Sequence, residues 1–237
     1  MDEPAVIWDR PEPTRRPAPS PLSRESIVQA AIRLADAEGL EAVSVRKVAA
    51  ELDAGPMRLY GYLSTKDDLL DLMVDAAYGE IPLPEATGQD WRTTLRELGH
   101  GIRQVALRHE WFADLLGRRP HLGPQALAYL EASLAALDRA DEFATIDEVS
   151  RAIRTLHAYL IGALRTEVAE RRAERSTGLD KDSWRRKAAP YLTRALSSGN
   201  YPTVANFVHN ATRQTPDTAF DTGLNHLLAG ITPPKPN

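Results

Sequence analysis

The chain has 237 residues, 43% hydrophobic and 26% charged, the balance of an ordinary globular protein rather than a disordered or fibrous one. A net charge of −4 excludes a protein that coats nucleic acid with its whole surface, but leaves room for one basic face. Cysteine is absent, which excludes disulfides, thiolate catalysis and cysteine-held metals; no apolar run is long enough for a membrane span, so a cytoplasmic protein is expected.

Residues 1–22 are rich in proline, show no secretory-signal pattern and read as a mobile arm. Arg15 and Arg16 within it are candidates for a minor groove, against a tail with no role. From Ser23 onward the periodicity is helical, no stretch alternates like a strand, and the expected class is all-α. A first helix is predicted over Arg24–Glu38, capped by Ser23, stapled by Leu22 and Ile27, and stopped at Gly39. A second starts from Ser44, with Val43 and Val48 as its staple, and ends near Leu52. After the turn "DAG", Pro56 opens a short third helix to about Leu63. Thr65 and Asp68 have the spacing of a capping box for a fourth helix, which runs until "EIPLPEATG" breaks it. Further helices are predicted over Asp90–Arg108, about Trp111–Gly117, Pro124–Arg139, Ile146–Arg172, Asp182–Ser197, Thr203–Asn210 and Asp217–Ala229.

The second and third helices have helix-turn-helix proportions. Arg46 and Lys47 lie in the first turn of the second helix, where the macrodipole is positive and cations are unfavourable by a few tenths of a kcal/mol, up to roughly 1 each. A phosphate at that helix end removes the penalty. Lys66, at the start of the fourth helix, offers a similar site. Between Ser44 and Lys66 four cations stand against two carboxylates, a basic excess in an acidic chain. In the third helix Leu59 and Leu63 should face inward. Met57, Arg58, Tyr60, Gly61 and Tyr62 are then left for a major groove, Arg58 to read guanine and Tyr60 to hold a phosphate. The plain alternative for each is a solvated or half-buried surface group.

The stretch "IVQAAIRLADAEGLEAVSVRKVAAELDAGPMRLYGYLSTKDDLLDLMVD", residues 27–75, resembles the DNA-binding region of TetR-family transcriptional regulators, through the spacing of "GLEAVSVRKVAAEL", "LY" and "KDDLL". The resemblance implies that Ser44 and Arg46 meet phosphate and sometimes base, that Arg58 and Tyr62 face bases, and that Tyr60 and Lys66 clamp phosphates. Gly61 and the lead-in Gly55-Pro56-Met57 depart from the usual pattern, so base preference does not transfer. The later segments are similar to the tetracycline-repressor-like regulatory domain. That implies a three-helix DNA-binding head, a helical ligand-binding and dimerisation domain, and a ligand-released repressor on a palindromic double-stranded DNA operator. Boundaries of 1–22, 23–66, 67–231 and 232–237 are expected for arm, head, regulatory domain and tail.

Trp91, Leu98, Ile102, Trp111, Phe112, Leu115 and Tyr159 are candidates to line a pocket for an unknown small effector, with core packing as the alternative for each. Leu98, Ile102 and Leu115 fall where tetracycline-binding members carry Asn, Phe and a metal-binding His, so neither tetracycline nor a metal or other cofactor is expected. The resemblance also implies a homodimer through Ile146–Arg172 and Asp217–Ala229. Their apolar stripes can equally pack on each other within one chain. Enzyme chemistry finds little support: "HEWFA" lacks the second His of a zinc-protease helix, and no G-x-S-x-G elbow occurs. The other reading left open is a helical ligand-binding or enzyme-like protein with a vestigial head.

Overall fold

The computed structural model describes residues 6–9, 22–84, 90–118 and 120–232, and among them there are eleven α-helices and no strand. Arg24–Glu38 (α1) begins at Ser23, which shares a reciprocal cap with Ser26, and Leu22 and Ile27 are both buried beside it. Gly39 ends it with φ +85°, a backbone region that costs a side chain but not glycine. Val45–Glu51 (α2) starts from Ser44, whose hydroxyl accepts the Lys47 N–H at 3.2 Å. Lys66–Tyr78 (α4) carries the complete Thr65/Asp68 capping box.

Between them Pro56–Leu59 (α3) is shorter than the predicted helix to Leu63. Its continuation is a tightened turn: Gly61 donates its N–H to Arg58 and Tyr62 to Leu59, both three residues back. Gly61 is a poor helix former, and Ser64 and Thr65 must leave the helix to cap α4. Leu59 and Leu63 are buried, as their spacing requires.

The body comprises Trp91–Arg108 (α5), Glu110–Leu115 (α6), Pro124–Asp138 (α7), Ile146–Thr177 (α8), Lys181–Leu196 (α9), Pro202–Asn210 (α10) and Pro216–Gly230 (α11). One apolar core runs from Leu22 to Leu228 without a break. The helix α4 belongs to both halves, packing on α1 in the head and on α7 in the body. In α8, Ile153, Leu156, Leu160, Leu164 and Val168 are all buried within this chain, as are Phe220, Leu224 and Leu228 of α11. The stripes offered for dimerisation are therefore the chain's own core. Periodicity reports that a face is covered, not what covers it.

Within the arm expected over 1–22, Ile7–Asp9 forms a 3₁₀ turn with Ile7 buried, and Leu22 is buried at the foot of α1. Arg15, Arg16 and the tail beyond Thr232 lie outside the described residues.

The joint between α4 and α7 is polar. Asp75 Oδ1 accepts the Gln125 and Ala126 N–H groups, each at 2.9 Å, and so caps α7 from another helix. Burial pushes the Asp75 carboxyl above its usual range, against the pull of those two N–H groups. Gly123, the residue before α7, leaves room for this: a Cβ there would sit 2.1 Å from Asp75 Oδ1. Gly123→Ala is expected to break the cap and lower stability by at least about 1 kcal/mol, read as a fall in melting temperature.

Candidate nucleic-acid interface and its link to the body

On the head, Arg46, Arg58 and Lys66 are exposed and have no ion-pair or hydrogen-bonding side-chain partner among the described residues. Met57 is 80% exposed and Tyr60 50% exposed, and Gly61 is exposed between Tyr60 and Tyr62. Met57 and Tyr60 are too exposed to anchor a one-turn helix, whose buried side chains are Leu59 and, just beyond it, Leu63. Ser44 is partly buried, its hydroxyl engaged at the start of α2.

Two predicted contacts are placed differently. Lys47 Nζ lies 2.8 Å from Glu38 of α1, an exposed pair of small net worth that a phosphate can replace. Tyr62 turns inward: its ring packs on the core and its hydroxyl donates to the Leu22 carbonyl at 2.9 Å. It pins the start of α1 to the end of the recognition turn, and so positions Arg58 and Tyr60 rather than facing a base.

A buried clasp joins head to body. His109, between α5 and α6, has a side chain only 8% exposed. Its Nδ1 lies 2.8 Å from Asp36 of α1, and its Nε2 lies 3.1 Å from Glu80, just past α4. Trp111 Nε1 donates to the same Asp36 carboxylate at 2.8 Å, and Arg108 pairs with Glu80 at 2.5 Å. With a carboxylate at each nitrogen, the ring serves both only when both carry hydrogen. Nothing in the periodicity signals this clasp, because its members lie 73 and 29 residues apart in the chain.

The predicted pocket residues are all buried or half-buried, yet they do not converge. Trp91 lies at the start of α5, its Nε1 donating to Glu142 and its ring edge-on to Phe143. An open groove of about 570 Å³ runs past it, lined also by Thr94, Ala132 and Ala136. Trp111 is held at the clasp, and the Tyr159 hydroxyl donates to the Phe220 carbonyl of α11 at 2.8 Å. Leu98, Ile102 and Leu115 are core residues. Phe112 belongs to a second aromatic group, edge-on to Tyr78 at 5.2 Å and to Trp111 at 6.2 Å. That group continues through Tyr129 to His157, residues that helical spacing alone marks only as core.

The head matches, over residues 27–73, the family model for bacterial regulatory proteins of the tetR family; residues 83–233 match the tetracyclin repressor-like C-terminal domain. The chain belongs to the TetR family. It is 36% identical, over 95% of its length and 83% of the relative's, to the HTH-type transcriptional repressor DrrR1 of Streptomyces coeruleorubidus. It is 26% identical to the class E tetracycline repressor of Escherichia coli, over 89% of this chain and 90% of that one. Among solved structures it resembles ActR of Streptomyces coelicolor in complex with actinorhodin, with a TM-score of 0.76, 26% identity, and coverage of 90% of this chain and 96% of that one.

As a TetR-family member, the chain is a DNA-binding transcriptional regulator. In a TetR-family regulator the clasp acquires a meaning beyond stability. It ties α1 of the reading head to the α5–α6 junction of the regulatory body, in parallel with the Asp75 cap between α4 and α7. Both lie, with the packing of α4 on α5, α6 and α7, where the head meets the body.

Proposed function

We propose that the protein binds a palindromic operator as a homodimer, in the cytoplasm, and is released from it by a small hydrophobic or aromatic effector held in the body. The observation that carries this reading is the set of exposed, unengaged side chains on a helix too short to need them: Arg58 and Tyr60, flanked by Arg46 and Lys66 at two helix starts. Phosphate at those helix ends and base edges at Arg58 supply the missing partners.

Two features favour a second copy. On α8, Ala158 and Gly162 are exposed on the side opposite the buried stripe, and a Cβ at Gly162 would meet nothing within 4 Å, so another helix can come close. The pair α9 and α10 buries no residue at all, and leaves Trp184, Tyr191 and Phe207 at 60%, 69% and 69% exposure. Apolar groups at that level mark a surface that association covers. Two copies of α3 then sit about one helical turn of DNA apart. An effector that prefers the body conformation with mis-spaced heads lowers operator affinity by its differential affinity, and by no more. ActR in complex with actinorhodin supports a bound small-molecule effector for this chain as well.

The test is fluorescence anisotropy of an operator duplex with stepwise addition of candidate aromatic effectors, with the complex mass measured by sedimentation. Two chains per duplex and a saturable loss of anisotropy are expected. One chain per duplex, or a complex that no aromatic compound dissociates, would argue for a different regulator.

A further inference from the structure

Charge is unevenly spread along the chain. Between Gly178 and Arg213 six cations stand against two carboxylates, a strongly basic stretch in a chain whose net charge is −4. Its two helices, α9 and α10, pack on each other and bury no residue. Of the two carboxylates, Asp182 is shared by Arg185 and Arg213 at 3.0 and 3.5 Å, and Asp180 caps α9 by accepting the Ser183 N–H. Arg186, Lys187 and Arg194 are exposed, and among the described residues none of them pairs with a carboxylate. At about 100° per residue they fall on one side of α9, next to the stripe of Trp184, Ala188, Tyr191 and Ala195 and outside it. A second copy can therefore cover the apolar stripe and leave the three cations in solvent.

Both roots of this hairpin lie at the end of the body that carries the head. The last turns of α8 are tied to α6 by Arg172 and Arg175, which pair with Glu110, beside the His109 and Trp111 that meet Asp36 of α1. The first turn of α11 is tied through Asp217 to Arg103, in the half of α5 that leads to the clasp. Gly178, in the left-handed region at φ +66°, stops α8 there and turns the chain into the hairpin. The helix α9 has 16 residues, as long as α1, the longest helix of the head. At about 1.5 Å per residue it spans the depth of the head.

We infer that the α9–α10 hairpin is a second DNA contact, which sets Arg186, Lys187 and Arg194 against phosphates of the duplex outside the operator half-sites. Unpaired cations rooted at the head end of the body meet the phosphate backbone at high effective concentration once the head is seated. Contacts of this kind add affinity and footprint, and read no sequence. The inference rests on the reading that the head seats on an operator.

The test uses the full chain and the palindrome that it selects from a random duplex library. One duplex ends at the outer edge of the half-sites; a second carries about fifteen further base pairs on each side, enough for more than one helical turn of flank. Wild type is expected to bind the long duplex about tenfold more tightly than the short one, with a salt slope steeper by about 0.9 for each flanking phosphate neutralised. The combined variant Arg186→Gln, Lys187→Gln, Arg194→Gln should lose most of that advantage and of the added slope, bind the short duplex as wild type does, and keep the wild-type mass in sedimentation. Equal affinity and slope on the two duplexes, or an advantage that survives in the variant, overturns the inference. So does a variant that weakens both duplexes alike or changes the mass of the free protein, since the cations would then serve the head or an interface between copies. Binding to the short duplex keeps the two readings apart: its presence in wild type leaves the operator reading standing whatever the flanks do, and its absence sinks both.

Discussion

Arg58→Ala is expected to weaken binding to the cognate operator by roughly 1–3 kcal/mol per half-site, and about twice that across a palindrome, while leaving binding to unrelated DNA almost unchanged. Arg58 is exposed on α3, has no partner among the described residues, and is held by a turn that Leu59, Leu63 and the Tyr62 hydroxyl fix from below. A guanidinium so placed has two parallel donors for the edge of a guanine. Lys66→Ala should behave differently. A point charge at the start of α4 reads no sequence, so its loss should weaken all duplexes alike and reduce the salt slope by about 1. Competition assays with cognate and scrambled duplexes over a salt series resolve the two. If both variants lost affinity equally for every sequence, Arg58 would be a phosphate contact and not a base reader.

His109→Leu is expected to produce the second large effect, on both stability and response. It leaves the Asp36 and Glu80 carboxylates facing an apolar side chain, each about a third exposed, at roughly 1.5–3 kcal/mol. For a chain of this size the melting temperature should fall by about 2–4 °C for each kcal/mol. Trp111 and Arg108 still donate to the two carboxylates, so the fold should survive. The distinctive readout is the ratio of operator affinities without and with effector. If the clasp transmits the body's state to α1, that ratio should shrink in His109→Leu and be partly restored in His109→Gln, whose amide can donate to one carboxylate only. A variant that melts earlier but keeps the full ratio would make the clasp a structural tie alone, with transmission left to α4 and the Asp75 cap.

What could be read in the sequence follows from how far apart the interacting groups lie. The caps at Ser23, Ser44 and Thr65 and the stop at Gly39 involve partners within four residues, and the structure has each of them. The inward pair Leu59 and Leu63 follows from helical spacing in the same way. The early end of α3 does not, since it depends on a contest between a poor helix former at Gly61 and the capping demand of the next helix. The resemblance implies that Tyr62 faces bases; in the structure its hydroxyl donates to the Leu22 carbonyl, 40 residues away. The clasp at His109 and the aromatic row through Tyr129 are long-range in the same sense. For the stripes of α8 and α11, periodicity identified the buried face correctly but could not distinguish the chain's own core from a second copy.

The central claim is that α3 and the helix starts beside it read an operator as a pair. Selection from a random duplex library by the purified protein, with the selected sequences re-measured across a salt series, tests it most directly. Enrichment of a palindrome with half-sites about one helical turn apart is expected, bound with a salt slope of roughly 0.9 per phosphate contacted. Enrichment of no sequence at low salt, or binding with little salt dependence, would contradict it.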